Sequence, residues 1–252
     1  MQVSSDHLHV RQTLAAAYAG TSLSSHLLFL VALGLFILAI PFVETLPGGE
    51  LANSALLTLV LISGVLVLRA RRGTLVLAML LVGAGLLARW INYFRPDLMP
   101  PAVHLVLGML FLVLVAVQFL RFILRSPRVT AQVLEAGIST YLVFGLLWTM
   151  AYMLVGRLLP DAFAFSAEPG AGRSMNASNA LYYSFVTLTT MGYGDILPVS
   201  RVARMLAITE ATTGVLYMSV LIARLVGMYS TVTPIQDKSD TDRSSSGSGN
   251  GT

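Results

Sequence analysis

The chain has no cysteine among its 252 residues. This absence excludes disulfide bonds, thiolate metal sites and cysteine nucleophiles. Charged residues are also scarce, at 11% of the sequence, whereas a soluble domain carries about a quarter. Lys238 is the single lysine, and the dispersed arginines are typical of loop and headgroup anchors rather than of a nucleic-acid surface. Hydrophobic residues make up 56% of the sequence, and its mean hydropathy is +0.77. These values predict an integral membrane protein.

Histidine and acidic residues are too sparse for a catalytic or metal-binding cluster in the apolar runs. The four histidines show no metal-ligand spacing there, and the close pair His7 and His9 falls in a polar leader. No run combines His, Asp and Glu in a way that supports acid–base or metal chemistry. We therefore expect neither an enzyme nor a bound cofactor.

Long apolar runs organise most of the chain. A membrane core of about 30 Å requires roughly 20 apolar residues per helix. Six runs are near or above this length, at residues 26–43, 51–68, 74–94, 102–124, 137–158 and 201–229. The sequence therefore predicts an all-α integral membrane protein with six transmembrane helices.

Arginine clusters predict the orientation of these helices. Residues 44–50 contain no Lys or Arg, whereas arginines cluster after the second and fourth runs. The positive-inside rule assigns such clusters to the cytoplasm, which predicts a cell-membrane protein with both termini in the cytoplasm. The same side chains are expected to contact acidic lipid headgroups. They are Arg69, Arg71, Arg72, Arg121, Arg125 and Arg128.

Composition divides the chain into four parts. Residues 1–25 form a polar cytoplasmic leader, residues 26–128 a four-helix membrane domain, and residues 129–232 a second membrane domain. Residues 233–252 are rich in Ser, Gly and Asp and are predicted to be a disordered cytoplasmic tail. Glu135 is expected in an interfacial linker between the fourth and fifth helices.

A half-length apolar segment, residues 180–188, precedes a glycine-containing stretch at residues 189–195. The segment is too short to span a membrane and too apolar for a solvated loop. Irregular backbone at membrane depth is tolerated only where it lines a water-filled path or is buried in protein. We predict a re-entrant helix, capped by Ser178 or Asn179, that enters from outside. Its C-terminal carbonyls favour a cation at the membrane centre.

Residues 180–195 read Ala-Leu-Tyr-Tyr-Ser-Phe-Val-Thr-Leu-Thr-Thr-Met-Gly-Tyr-Gly-Asp and resemble the pore helix and selectivity filter of potassium channels. Met191 replaces the valine of their usual Thr-Val-Gly-Tyr-Gly. Leu197, Pro198 and Arg204 match the outer start of the family's inner helix. The likeness to small bacterial channel proteins without a cytoplasmic regulatory domain covers about residues 129–229. This resemblance implies that residues 129–232 form a pore domain with an outer helix, a pore helix, a filter and an inner helix.

The resemblance implies a homotetramer with the filter on its four-fold axis and K⁺ as the permeant ion. The expected potassium ligands are the carbonyls of Thr190, Met191, Gly192 and Tyr193, with the Thr190 hydroxyl at the inner end. Gly192 and Gly194 permit the backbone conformations that orient these carbonyls. Support of the filter is assigned to its neighbours Tyr182, Tyr183, Thr189 and Asp195.

Met191 leaves the degree of selectivity open. Methionine is more flexible than valine and is expected to hold the filter less rigidly. A weakly selective monovalent cation channel is therefore an alternative to a potassium-selective one. An ion transporter is a further alternative from another class, although known pore-like transporters carry four related units in one chain and no internal repeat is visible here.

The fourth run decides whether voltage sensing is expected. A gating charge moved fully across the membrane contributes about 2.3 kcal/mol per 100 mV. Residues 102–120 contain no Lys or Arg, and Arg121, Arg125 and Arg128 lie at the inner end of the run. The sequence therefore predicts weak or absent voltage dependence.

The sixth run contains the candidate gating residues. Glu210 is the one acid inside a run, and an intramembrane carboxylate is costly. We expect it to bond to Ser184 or Thr187 of the pore helix, either coupling a gate to the filter or holding helices together. Gly214 matches a hinge position of the family. Below it, Val215, Met218 and Ile222 recur at helical spacing and are candidates for lining the inner cavity, the alternative being ordinary helix packing.

Overall fold

The computed structural model describes residues 25–43, 46, 49–67, 72–94, 102–166 and 174–230. The predicted leader before Ser25 and the predicted tail lie outside the described residues. So do Arg69 and Arg71 of the first arginine cluster.

Seven helices and one short ribbon make up the described part of the chain. The helices are α1 (Ser25–Val43), α2 (Gly49–Val67), α3 (Arg72–Phe94), α4 (Ala102–Arg125), α5 (Ala131–Leu158), α6 (Ala177–Leu188) and α7 (Arg201–Ser230). The ribbon pairs β1 (Phe163–Phe165) with β2 (Ile196–Pro198). The predicted all-α class is confirmed.

Four helices, α1, α4, α5 and α7, are long and apolar enough to cross a membrane. The apolar parts of α2 and α3 are shorter and cover Ala55–Val65 and Gly73–Ala88. Each lies at a position predicted from an apolar run. The six-span count nevertheless stays a prediction, because the crossing of α2 and α3 rests on the sequence pattern alone.

The helices of the first half pack around an apolar core that continues onto α5. Phe29 and Leu33 of α1 and Phe111 and Val115 of α4 are almost completely buried in it. Lipid tails are as apolar as these side chains, so close packing rather than escape from water favours their association. The helices of residues 26–128 thereby contact residues 129–232 mainly through α5.

Helix α5 begins six residues earlier than its apolar run. Thr130 is its N-cap, and the Thr130 hydroxyl accepts a 3.4 Å hydrogen bond from the backbone N–H of Val133. Glu135 therefore lies inside α5, and its assignment to an interfacial linker was wrong. The apolar run indicates only the part of the helix expected in the hydrocarbon core of a membrane. The start of the helix itself is set by the capping threonine.

The ribbon ties the segment after α5 to the segment after residue 195. Phe163 pairs with Pro198 and Phe165 with Ile196 in antiparallel register. Two further backbone bonds extend it, from Val199 N–H to the Ala162 carbonyl at 2.8 Å and from Ser166 N–H to the Asp195 carbonyl at 2.8 Å. The glycine-containing stretch is thus held at its outer end by α5 as well as by α7.

Candidate ion-binding site

Helix α6 positions the site, and it is longer than its apolar segment. Asn176 is the N-cap, and its side-chain oxygen accepts a 2.8 Å bond from the backbone N–H of Asn179. The expected caps Ser178 and Asn179 were wrong, because both lie within the first turn. The Asn179 side chain instead donates to the Ser174 carbonyl at 2.8 Å and fixes the preceding loop.

At its C-terminus α6 turns tightly into the filter stretch. The N–H groups of Thr189, Thr190 and Met191 donate back to carbonyls of the last helical turn at 3.0, 2.9 and 2.9 Å. The Thr189 hydroxyl adds a 2.6 Å bond to the Phe185 carbonyl. The backbone donors of the stretch are therefore directed into the helix end.

The filter carbonyls, in contrast, are free of donors. Among the described residues no hydrogen bond reaches the carbonyls of Thr190, Met191, Gly192 or Tyr193. All four residues are exposed in the single protomer, so their carbonyls are accessible to a ligand. Backbone carbonyls in this arrangement are the ligands that replace the hydration shell of a bare cation.

Backbone torsions alternate along the same stretch. Thr190, Gly192 and Gly194 have φ of 58°, 54° and 80°. Successive carbonyls of an ordinary extended strand point to opposite sides. Left-handed residues at every second position turn alternate peptide planes over, so that successive carbonyls can face one side. This is the conformation that the two glycines were predicted to permit.

Thr190 was not expected in that conformation. A positive φ is rare for a residue other than glycine, and for a β-branched one it is an outlier. Such backbone strain costs about 1–3 kcal/mol and clusters at functional sites. The strained residue is the one whose hydroxyl was predicted to close the inner end of the filter.

Two of the predicted support residues, Tyr182 and Asp195, lie on one side of the stretch together with Tyr193. The rings of Tyr182 and Tyr193 stack with centroids 6.3 Å apart and an interplanar angle of 11°. The Tyr182 hydroxyl lies near the Asp195 carboxylate, and Asp195 Oδ1 accepts a 3.1 Å hydrogen bond from Ile196 N–H. The outer half of the filter is thus braced from α6.

Tyr183 lies elsewhere. Its buried ring makes edge contacts with Tyr152 and Phe163, with centroids 4.8 and 5.6 Å apart. The side chain therefore joins α6 to α5 and β1 instead of contacting the filter as expected. Adjacent residues of a helix point about 100° apart, so in the protomer Tyr182 faces Tyr193 while Tyr183 faces α5.

Glu210 forms a buried cluster with two hydroxyl groups. Its Oε1 accepts a 2.6 Å bond from the Ser184 hydroxyl, and its Oε2 accepts a 2.5 Å bond from the Tyr152 hydroxyl. The predicted bond to the pore helix is therefore present. Tyr152 was missed because nothing in the sequence indicates which face of α5 meets α7. The cluster links α5, α6 and α7.

The remaining gating candidates fall on two faces of α7. Gly214 is buried against the end of α6, with Leu188 as its neighbour. Val215, Met218 and Ile222 are exposed in the single protomer. Their spacing puts Val215, Met218 and Ile222 along one stripe of the helix. The structure thus separates one candidate from the other three, and their roles in gating stay predictions.

The arginine cluster after the fourth run follows the end of α4. Arg121 and Arg125 lie in the last turns of α4, Arg128 lies just beyond it, and all three side chains are exposed. Arg72 begins α3, and its side chain is outside the described residues. The charge-free stretch of residues 102–120 is helical throughout.

A half-length helix followed by donor-free carbonyls, between two helices long and apolar enough to cross a membrane, is the arrangement of an α-helical membrane protein with a pore loop. A sequence profile of the family described as "Ion channel" matches residues 136–231. Two-pore potassium channel 4 of Arabidopsis thaliana is 31% identical over 105 residues, covering 41% of this chain and 35% of that protein.

Two bacterial proteins are similar over the same region. Protein LctB of Bacillus caldotenax is 30% identical over 104 residues, covering 40% of this chain and 75% of LctB. Protein LctB of Geobacillus stearothermophilus is 34% identical over 80 residues, covering 31% of this chain and 59% of LctB. The chain belongs to the ion-channel family.

The plant relatives are much longer than the shared region. The chain spans between 19% and 35% of the length of three plant two-pore potassium channels from Arabidopsis thaliana and Oryza sativa. No solved structure is significantly similar to the chain.

Proposed function

We propose that four copies of the chain form a potassium channel that conducts K⁺ passively across the cell membrane. The observation that carries this proposal is the run of donor-free carbonyls from Thr190 to Tyr193 with alternating φ sign. The names of the plant relatives, which are two-pore potassium channels, point to the same ion. The ion-channel family is not a class of enzymes, and the proposed process has no chemical step.

Four copies are required because one filter strand cannot surround an ion. The exposure of α7 supports this assembly. Only 11% of the residues in an apolar 18-residue stretch of α7 are buried in the protomer, compared with 44% in the corresponding stretch of α5. Tyr193 is 65% exposed and Met191 56% exposed beside it. An apolar face that is continuous with an incomplete ligand ring fits further copies of the same chain.

The proposed conduction depends on replacing water around K⁺. Carbonyls of Thr190, Met191, Gly192 and Tyr193 from each copy would take the place of hydration oxygens. The C-terminal end of α6 directs the negative end of its dipole toward the membrane centre and favours the cation there. Passage then needs binding that is weak enough at each site for the ion to leave.

A weakly selective cation channel is the alternative that one observation favours. Met191 is more than half exposed in the protomer, and its flexible side chain replaces the usual valine of the motif. The reversal potential with K⁺ on one side and Na⁺ on the other separates the two functions.

We place the chain in the cell membrane with both termini in the cytoplasm, as the arginine clusters favour. Acidic lipid headgroups are the proposed partners of Arg121, Arg125 and Arg128, whose side chains are exposed at the end of α4. We further propose weak voltage dependence, because residues 102–120 contribute no charge to the field.

Ion flux into liposomes tests the proposal. Purified protein should allow K⁺ entry that follows the electrochemical gradient and needs no coupled ion. Gly192→Ala should abolish this flux, because a side chain at φ 54° disfavours the required backbone. Gly83→Ala is the matched control, since an added Cβ there meets nothing within 4 Å. Flux that depends on a second ion gradient would indicate a transporter.

A further inference from the structure

An apolar cavity lies among the first five helices, away from the filter stretch. Its volume is about 40 Å³, and residues of α1, α2, α3, α4 and α5 all line it. Among the described residues of the lining, His104 carries the one polar side chain, and none is Lys, Arg, Asp or Glu. The cavity therefore lies where helices α1–α4 meet α5.

The lining decides what this cavity can hold. A cavity above about 10–15 Å³ has room for a water molecule, but the water needs two to four polar partners. The apolar side chains here do not supply them. Apolar cavities stay dry and bind apolar molecules, and one of about 150 Å³ admits benzene. A cavity of about 40 Å³ is smaller and fits a narrower group, such as the end of an alkyl chain.

The seam between α2 and α3 connects the cavity to the surface of the protomer. Among the described residues, α2 and α3 contact each other less than any other consecutive pair of helices from α1 to α5. Val60 of α2 and Val82 of α3 line the cavity from the two sides of this seam. The outward faces of the same helices expose apolar side chains, including Leu59 and Leu80. In a membrane such faces are surrounded by hydrocarbon chains.

The far wall of the cavity belongs to α5. Leu146 and Met150 line it one helical turn apart. Next to Leu146, the Gly145 carbonyl accepts a 2.8 Å bond from the Ser184 hydroxyl of α6, and the Phe185 ring packs against Gly145. This part of α5 therefore contacts the cavity on one side and α6 on another.

We propose that the cavity binds the end of a lipid acyl chain, which enters from the bilayer between α2 and α3. The bound chain end gains dispersion contacts with side chains that otherwise lack partner atoms on the cavity side. Bilayer hydrocarbon is the occupant that the position favours, because the seam opens between two faces that hydrocarbon covers. The headgroup stays outside, since the lining offers no charged partner. This binding does not depend on the proposed function.

Gly85 of α3 is the residue through which the site is tested. It lines the cavity, and a Cβ built on it would contact Leu107 Cβ at an ordinary 3.7 Å. Gly85→Leu therefore fills the cavity from α3. Gly85→Ala fills it in part and serves as the test if the larger side chain prevents folding. Gly83→Leu is the matched control on the same helix, because Gly83 is exposed and its Cβ would meet nothing within 4 Å.

Photochemical labelling from the chain end measures the binding. Full-length protein is placed in liposomes that contain a phospholipid with a diazirine at the end of one acyl chain. After illumination, the labelled residues are mapped by mass spectrometry. Leu146 is 4% exposed in the protomer, so a chain end reaches it through the cavity. Leu80 and Leu87 are exposed on α3 and serve as internal standards for ordinary lipid contact.

The unsubstituted protein and Gly83→Leu should carry the label on Leu146 as well as on the two standards. Gly85→Leu should reduce the label on Leu146 several-fold relative to the standards, with Gly85→Ala between these extremes. Labelling of the standards without Leu146 in the unsubstituted protein would overturn the proposal. Equal labelling of Leu146 in Gly85→Leu and Gly83→Leu would do the same.

Thermal stability gives a second, independent measurement. A ligand that binds only the folded state raises the melting temperature. Adding phospholipid to the protein in detergent should therefore raise the melting temperature of Gly83→Leu more than that of Gly85→Leu. Equal increases would contradict a site that Gly85→Leu fills. Neither measurement involves ion conduction, so a protein that conducts no K⁺ refutes the proposed function and leaves this test intact.

Discussion

Glu210 of α7 and Tyr152 of α5 are joined by a 2.5 Å hydrogen bond across 58 residues of sequence. Ser184 of α6 completes the cluster from the other carboxylate oxygen. The inner helix is thereby tied to the helix on either side of it at one buried point. Four residues further along α7, Gly214 meets Leu188, so one face of α7 contacts α6 at two levels.

Removing the Tyr152 hydroxyl should destabilise this junction. Tyr152→Phe leaves one oxygen of the buried Glu210 carboxylate without its donor, and such an unsatisfied group costs about 1–3 kcal/mol. The melting temperature in detergent should fall accordingly. Tyr141→Phe is the control on the same helix, because no hydrogen bond of the Tyr141 hydroxyl is present among the described residues.

A double-mutant cycle with Glu210→Gln measures the pair itself. Hydrogen bonds between membrane helices typically contribute about 0.6 kcal/mol and at most about 1.7 kcal/mol in such cycles. We expect Tyr152 and Glu210 to lie at the upper end of that range because both groups are buried. Strictly additive effects would mean that the bond does not hold the helices together.

Gly145 should tolerate no side chain. A Cβ there would lie 2.4 Å from the ring of Phe185, on the α5 side of the pore helix. Overpacking of this kind usually costs about 1–3 kcal/mol, so Gly145→Ala should lower the melting temperature. Gly137→Ala is the graded control, since its Cβ would meet the Leu221 side chain at 3.3 Å. Equal stability of the two variants would contradict the tight contact between α5 and α6.

The stack of Tyr182 on Tyr193 should matter more than the hydroxyl of Tyr182. Tyr182→Phe keeps the rings together and removes the hydroxyl near the Asp195 carboxylate, whereas Tyr182→Ala removes both the ring and the hydroxyl. Aromatic pairs contribute about 0.5–1.5 kcal/mol beyond the area they bury. We therefore expect the K⁺ to Na⁺ permeability ratio to fall further in Tyr182→Ala. The reverse order would assign the support to the carboxylate instead.

Neutralising the arginines at the end of α4 should leave voltage dependence unchanged. Arg121, Arg125 and Arg128 are exposed and lie beyond the charge-free part of the helix. Their replacement by Gln should instead weaken the dependence on acidic lipid, at about 1 kcal/mol per residue near the surface. Conductance–voltage curves in bilayers with and without acidic lipid give both answers. A steep curve that flattens in the variant would make α4 a voltage sensor.

Much of this architecture could be predicted because apolar length and glycine spacing are local signals. Each apolar run corresponds to a helix, and the filter stretch follows its half-length helix as expected. The bond from Glu210 to Ser184 was also predictable, since a buried carboxylate requires a donor and the pore helix offers few.

The remaining features depend on tertiary contacts that no local pattern encodes. Tyr152 is a partner of Glu210 because of the direction in which α5 presents its side chains, and this direction depends on how α5 packs against α7. The strands of the ribbon are three residues long, too short for a period-two signal, and their pairing joins distant segments. The left-handed Thr190 is held by the contacts around it against its own preference.

The reversal potential of single channels with K⁺ on one side of a bilayer and Na⁺ on the other tests the central claim most directly. The purified protein should show unitary currents whose reversal potential lies far toward the K⁺ equilibrium potential. That result requires the carbonyls of Thr190 to Tyr193 to distinguish the two ions. A reversal potential near zero, with both ions carrying similar current, would contradict a potassium-selective filter.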